Sequence, residues 1–275
     1  MMRELHSRVH ELRKLPGWVK REDELSFGIS GSKLRKLLPL IESLKKEAGA
    51  VFFGSAYSNF ILGAVQLLIE NGIDYRLVLK RAHTEKIVGN LQYLLRIASP
   101  ETILWDGGNY PKEYRIIPEG GDLPECLEGA KTLAKSILEN EKELDLKFSK
   151  VIIDAGTGVS ALGLILGLSE LNRPLPVHVF SMKISEDEFQ SKLSSHEIKT
   201  PVYFHKLSHH KSFGAVNNTL LTFINSFANK EGFFLDPIYS GKLFFELTHT
   251  EATHLLDPHS LVIHSGGALS LSGFP

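Results

Sequence analysis

The chain has 275 residues, 43% of them hydrophobic and 23% charged, with 31 Lys+Arg against 32 Asp+Glu and a formal net charge of −1. This balance suits a globular chain with a real apolar core, and it excludes a disordered chain, a fibre and the basic excess of a sequence-independent nucleic-acid binder. A single cysteine, Cys126, can form neither an internal disulfide nor a cysteine metal site.

From Met1 to Lys14 the chain is charged throughout, with no apolar signal core, so a cytoplasmic location is expected. Next comes Ser30-Gly31-Ser32-Lys33-Leu34-Arg35-Lys36. Ser32 is placed to cap a helix whose first turn carries Lys33 and Lys36 on one face. The helix field there opposes a cation and favours an amine that can act as a nucleophile. A basic surface turn is the alternative. Pro39 predicts a kink or a short first turn.

Ala50 to Phe53 reads as a buried strand ending at Gly54, and Asn59 to Glu70 as a helix stopped by Asn71-Gly72. Between them, Ser58 and Asn59 project at a helix start, where an ordinary N-cap would also explain them. Tyr75 to Leu79 and Thr102 to Trp105 read as further strands, and Leu127 to Asn140 as a helix. Val151 to Ile153 opens a second strand–turn–helix unit through Asp154-Ala155-Gly156-Thr157-Gly158-Val159-Ser160-Ala161, with the helix over Ser160 to Leu171. Glycines and hydroxyls at a helix start can cradle a phosphate, or can simply make a capped tight turn. The segment matches neither a P-loop nor G-x-G-x-x-G. Val177 to Ser181 and Leu261 to Ile263 complete the strands. This alternation predicts an α/β chain in two lobes with a mainly parallel sheet and a ligand cleft between them. The longest strongly apolar stretch, Ala161 to Leu168, is too short for a membrane span of about 20 residues. His209-His210, the one adjacent histidine pair, reads as a solvated loop, and no metal site is expected.

Taken in order, Val19-Lys20-Arg21-Glu22-Asp23, Gly31 to Lys36, Ser58-Asn59, Gly89-Asn90-Leu91, Ile117-Pro118-Glu119-Gly120-Gly121, Gly156-Thr157-Gly158, Asp236-Pro237-Ile238-Tyr239-Ser240-Gly241-Lys242 and His264-Ser265-Gly266-Gly267 resemble one family. It is the D-cysteine desulfhydrase and 1-aminocyclopropane-1-carboxylate deaminase family of pyridoxal-phosphate enzymes. The resemblance implies a two-lobed, three-layer α/β/α fold of type II, like the tryptophan synthase β chain. Residues 1–35 with 150–275 would form the larger cofactor-binding domain and 36–149 a smaller inserted one. It implies pyridoxal 5'-phosphate as cofactor, a small amino-acid substrate and a homodimer. Lys33 would form the Schiff base and carry the α-proton. Lys36, Gly156, Thr157, Gly158, Val159 and Ser160 would hold the phosphate, and Asn59 the ring hydroxyl. Ser58 would bind the substrate carboxylate or move a proton, with Tyr239 beside the substrate.

Ser240 matches the position facing the pyridine nitrogen. Ring-opening deaminases are expected to carry glutamate there and desulfhydrases a hydroxyl, so Ser240 favours β-elimination from a D-cysteine-like amino acid. A deaminase or racemase of the same fold, or a non-catalytic pyridoxal-phosphate binder, are the alternatives. Tyr57, Phe60 and Phe213 stand where the family pattern has Gln, His and Tyr. The chain is also shorter than the family pattern, near Trp105 to Tyr114 and Ser181 to Phe213.

Overall fold

The computed structural model of the chain describes residues 5–26, 31–80 and 87–274. Ser30 and residues 1–4 of the charged N-terminus lie outside them. The strands are β1 (Val9–Glu11), β2 (Trp18–Arg21), β3 (Ala50–Ser55), β4 (Tyr75–Lys80), β5 (Ile103–Trp105), β6 (Arg115–Ile117), β7 (Lys150–Ala155), β8 (Val177–Ser181), β9 (Val202–Lys206) and β10 (Ser260–His264). The α-helices are α1 (Lys33–Leu44), α2 (Asn59–Glu70), α3 (Asn90–Ile97), α4 (Pro124–Glu143), α5 (Val159–Glu170), α6 (Glu186–Ser194), α7 (Asn218–Glu231) and α8 (Ser240–His249).

Two sheets organise these elements. The larger runs β1-β2-β10-β7-β8-β9, parallel except for β1 against β2. The smaller runs β5-β4-β3-β6 and is parallel throughout. Parallel strands with helices on both faces are buried on both sides, so they read as continuous apolar runs. Accordingly Val151, Ile153, Leu261 and Ile263 pack with Leu133, Ile137, Leu164 and Leu168 of α4 and α5. Their neighbours Ile152 and Val262 point the other way, toward Ile224, Phe227, Leu243 and Phe244 of α7 and α8. This is a three-layer α/β/α arrangement. A separate core joins α1 and α2 to the smaller sheet through Leu37, Leu40, Leu68, Phe52 and Leu77. Among the described residues, no helix is long and apolar enough to cross a membrane.

Several local expectations need correction. Ser32 provides no side-chain cap: its backbone is already helical (φ −56°, ψ −18°), and its hydroxyl lies 3.4 Å from the Ser265 carbonyl. Pro39 does not shorten α1, which continues to Leu44. Proline removes the N–H that would bond the Arg35 carbonyl. Gly129 of α4 comes against that carbonyl, so closely that a Cβ there would lie 2.1 Å from the oxygen. Gly163 of α5 is equally tight, with a Cβ position 2.3 Å from the Ala130 Cβ. Helix α4 thereby seats against both α1 and α5.

Charges in and just after β2 are interior, whereas Arg8, Glu11, Arg13 and Lys14 before it are exposed. Glu22 is fully buried and accepts from Arg35 Nε (2.6 Å), Arg35 Nη2 (2.8 Å) and Ser7 Oγ (2.6 Å). Lys20, also fully buried, donates to Ser7 O, Ser136 Oγ and Asn140 Oδ1 at 3.0, 2.8 and 2.5 Å. At the opposite rim His178 Nδ1 meets His205 Nε2 at 2.9 Å, and His178 stacks on Tyr203.

Candidate active site

The carboxyl ends of parallel strands leave a crevice where chains cross between layers. Here β3 and β7 both open, through short polar turns, into helices α2 and α5. The start of α1 and the turn after β10 face the same place. One cleft results, lined by Lys33, Lys36, Ser58, Asn59, Tyr239 and the run Asp154 to Ala161.

Lys33 is the first residue of α1 and is only 9% exposed, with its ammonium 4.8 Å from the centre of the Tyr239 ring. One turn on, Lys36 donates to the Gly120 carbonyl at 2.7 Å and lies 5.0 Å above the Phe60 ring. Burial, then the charge of Lys33, lower the Lys36 pKa to about 8. Beside them α5 begins at Gly158, which is left-handed (φ 85°) and gives no side-chain cap. A Cβ on Gly158 would lie 3.0 Å from Ile184 Cδ1 and 3.1 Å from Phe189 Cδ2. The N–H groups that open α5 have no carbonyl partner within the helix, and they line the cleft together with Thr157, Ser160 and Lys36, a set whose chemistry suits an anion.

On the other wall Ser58 caps α2, accepting from Ile61 N at 3.3 Å. The cap geometry is thus real, and the hydroxyl proton remains for a ligand. Asn59, 6% exposed, accepts from the Asn90 side-chain amide, which also donates to Tyr57 O at 3.0 Å. This fixes the Asn59 amide and turns its Nδ2 toward Gly267, where a Cβ would lie 2.7 Å away. Tyr239 is half-buried, and burial, then Asp154, Asp236 and Glu119, push its phenol well above the usual range.

Ser240 stands apart: it is fully buried and is not among the cleft-lining residues. Its hydroxyl donates to Asp236 Oδ2 at 2.7 Å and accepts from Asp236 N at 2.9 Å. Asp236 is the anchor of this turn, also accepting from the backbone of Ile238, Tyr239 and Ser240. Sequence reasoning gave Asp236 no role, although an aspartate before proline at a turn is a usable signal.

Asp154, Glu119 and Ser265 also line the cleft and were assigned no role from sequence. Asp154 is 5% exposed and its Oδ2 has no hydrogen-bond partner; the same holds for Oγ of the 2%-exposed Ser265. Burial raises the Asp154 pKa, with Lys33 opposing and Asp236 adding to the rise. At the mouth, Phe213 meets Tyr239 edge-on at 6.1 Å, and Lys183 lies 5.7 Å above Phe213 while bonding Glu119 at 2.5 Å. Lys242 holds the Phe213 loop by donating to His210 O and Ser212 O at 3.0 and 2.8 Å. His210 is not simply solvated: its ring packs edge-on to Phe245 at 4.5 Å, and its Nε2 is buried without a partner. Among the described residues no cluster of His, Cys, Asp and Glu could hold a metal ion.

The donor set fits pyridoxal phosphate. It offers a buried amine, an uncapped helix start backed by a second lysine, an oriented amide, and two buried polar atoms still lacking partners.

No family model matches the chain. It is 29% identical over 285 residues to a Pyrococcus horikoshii protein provisionally named a 1-aminocyclopropane-1-carboxylate deaminase, covering 91% of this chain and 84% of that protein. It is 27% identical to an Arabidopsis thaliana mitochondrial protein named bifunctional D-cysteine desulfhydrase/1-aminocyclopropane-1-carboxylate deaminase, with 92% and 73% covered. Against the Serratia proteamaculans D-cysteine desulfhydrase the figures are 26% identity, 94% and 88%. A crystal structure of an ACC deaminase homologue superposes with a TM-score of 0.85 at 21% identity, over 99% of this chain and 93% of that one. The L-serine ammonia-lyase of Rhizomucor miehei gives 0.66 at 15% identity, over 97% and 95%. Over nine-tenths of its length the chain is similar in sequence to proteins named 1-aminocyclopropane-1-carboxylate deaminase and D-cysteine desulfhydrase, and it has the type II fold of pyridoxal-phosphate enzymes.

Proposed function

We propose that the chain is a pyridoxal-phosphate-dependent lyase that performs β-elimination on a small D-cysteine-like amino acid. Cysteine and one water would give sulfide, pyruvate and ammonia. The observation that carries this reading is the meeting of Lys33, Asn59 and the free N–H groups of α5 in one cleft. When bound, the cofactor supplies the electron sink for negative charge at the substrate α-carbon.

The chain's own residues position and move protons. Lys33 Nζ would hold the cofactor by its carbonyl carbon, and the same amine, when free, would take the substrate α-proton. Backbone N–H groups at the start of α5, with Thr157, Ser160 and Lys36, would hold the phosphate. Asn59, oriented by Asn90, would hold the ring hydroxyl. Ser58 donates to the substrate carboxylate, and Tyr239 with Phe213 walls off the substrate side. The proposed division is a larger domain of residues 1–35 and 150–275 around a smaller one of 36–149, working as a homodimer in the cytoplasm.

The test is an absorbance spectrum of wild type and Lys33→Ala with added pyridoxal phosphate, followed by D-cysteine or L-cysteine. A visible imine band in the wild type alone, with sulfide and pyruvate from one enantiomer, supports the reading. A wild type without that band refutes it, and a band without product from any amino acid replaces it with a non-catalytic binder.

A further inference from the structure

We propose that the groove between α7 and α8 is a second ligand site, separate from the cleft, for a planar aromatic anion. The inference stands on its own and does not depend on the pyridoxal-phosphate reading.

The groove has a volume of about 780 Å³, inside the range of about 300–1,000 Å³ found for small-molecule sites. None of its lining residues lines the cleft. Its floor is aromatic. Phe245 and His249, one turn apart on α8, stack at 4.5 Å with their rings 8° from parallel. Phe223 of α7 stands edge-on to both rings, 5.3 Å from each. Phe223 is half-buried and His249 is exposed, so this floor is open to a flat ring laid against it.

Polar groups run along one wall. Thr222, Ser226 and Lys230 follow at four-residue spacing on one face of α7. They make a line of two hydroxyls and an ammonium about 12 Å long. Among the described residues, none of these three side chains has a hydrogen-bond or ion-pair partner. Lys14 adds a second cation at the Lys230 end. The backbone N–H groups of Arg13 and Lys14 donate to the Glu231 carboxylate at 2.6 and 3.0 Å. Glu231 is 5% exposed, so its charge is spent inside this clamp, which holds Lys14 beside Lys230. The lining therefore carries two lysines and no carboxylate free to answer them.

Charge and shape select the occupant. A second copy docked across a two-fold axis would set the same patch against itself, lysines toward lysines. A purely apolar ligand would strip water from the hydroxyls and ammoniums and return no bond. A flat ring bearing a carboxylate meets both demands: the ring lies on the Phe223 floor and the anion takes charge-assisted bonds from Lys14 and Lys230.

The experiment titrates the full chain, with threonine methyl groups labelled for NMR, with 2-naphthoate and with the uncharged 2-naphthalenemethanol. With naphthoate the Thr222 and Thr248 methyl signals should move and saturate at about 1 mM or below, while that of Thr157 in the cleft stays in place. The alcohol should bind about fivefold more weakly. Lys14→Met with Lys230→Met should lower naphthoate affinity about fivefold and leave that of the alcohol unchanged. Both lysines are exposed, so this variant keeps the fold; Phe223→Ala should abolish binding of either probe. Equal affinity for the two probes, or naphthoate binding unchanged in the lysine variant, overturns the proposal. Shifts confined to Thr157, or no saturable shift at all, also overturn it. A dimer that becomes a monomer by sedimentation in Phe223→Ala replaces the ligand with a second copy and overturns it too.

Discussion

Replacing Arg35 by methionine removes one half of a buried ion pair that ties the N-terminal strand to the helix bearing Lys33. Glu22 is fully buried and accepts three hydrogen bonds, two of them from Arg35. Burial alone would raise the Glu22 pKa, but the charge and bonds of Arg35, with Lys20 and Ser7, outweigh it and hold the carboxyl below its usual range. Without Arg35 the carboxylate keeps only the Ser7 bond and the charge of Lys20. Truncating one partner of such a pair costs about 3–5 kcal/mol, which is roughly a 10 °C fall in Tm for a chain of this size. The sign with pH follows. In wild type the depressed pKa gives stability that is present above the ordinary carboxylate range and lost as pH falls through the folded value. In Arg35→Met the unopposed burial raises the pKa, so stability declines as pH rises above that range. The gap between the two proteins should therefore be small near pH ~4 and full at pH ~7. Urea unfolding at both pH values measures it. A deficit under about 1 kcal/mol at neutral pH, or one that does not change with pH, would refute this account of the pair. Glu22→Leu with Arg35→Met should recover much of the loss, because no lone charge is then buried.

Three further outcomes are expected. Gly158→Ala forces a side chain into a left-handed residue against Ile184 and Phe189, costing about 1–3 kcal/mol and weakening cofactor binding in a fluorescence titration; unchanged affinity would remove Gly158 from the cradle. Lys36, whose pKa lies at about 8, is charged below that value and neutral above it, so initial binding of pyridoxal phosphate should weaken as pH rises through about 8, and Lys36→Met should abolish that dependence. His178 has its pKa lowered to about 4 by burial, then by the positive charges of His205, Lys150 and His254. Its neutral form therefore stabilises the fold fully above pH ~6.5, and that contribution, about 2 kcal/mol after allowing for partial exposure, is lost as pH falls toward 4. His178→Phe should flatten thermal melts across that window, and an unaltered profile would contradict the assignment.

Elements whose local pattern matched their packing were readable in the sequence. Strands β3, β7 and β8 carry apolar runs because both faces are covered, and α2 matched Asn59–Glu70 because Ser58 and Asn71 punctuate it. The glycine turn of β7–α5 was readable for the same reason, as a strand end followed at once by an apolar helix. Strand β2 was not readable from pattern, since Trp-Val-Lys-Arg reads as surface. Lys20 is interior with partners that local pattern cannot show, since Ser136 and Asn140 come from more than a hundred positions away. Strand β6 has only three residues, too few to show a period, and β9, Val-Tyr-Phe-His-Lys at the sheet edge, is only half-buried to exposed and lacks the apolar run of a covered strand. The family motifs pointed to most of the cleft lining. They say nothing of the bonds between the Ser240 hydroxyl and Asp236, because a motif gives a position and not its hydrogen bonds. The burial of Asp154 was equally invisible, because it is a property of packing.

The close seat of α4 on its neighbours bears on how the cleft is held together. Backbone meets backbone where Gly129 crosses the Arg35 carbonyl, and Gly163 lets Ala130 nearly as close. A side chain at either glycine would push α4 off a neighbour, so this one seam sets where α1, which carries Lys33 and Lys36, stands relative to α5.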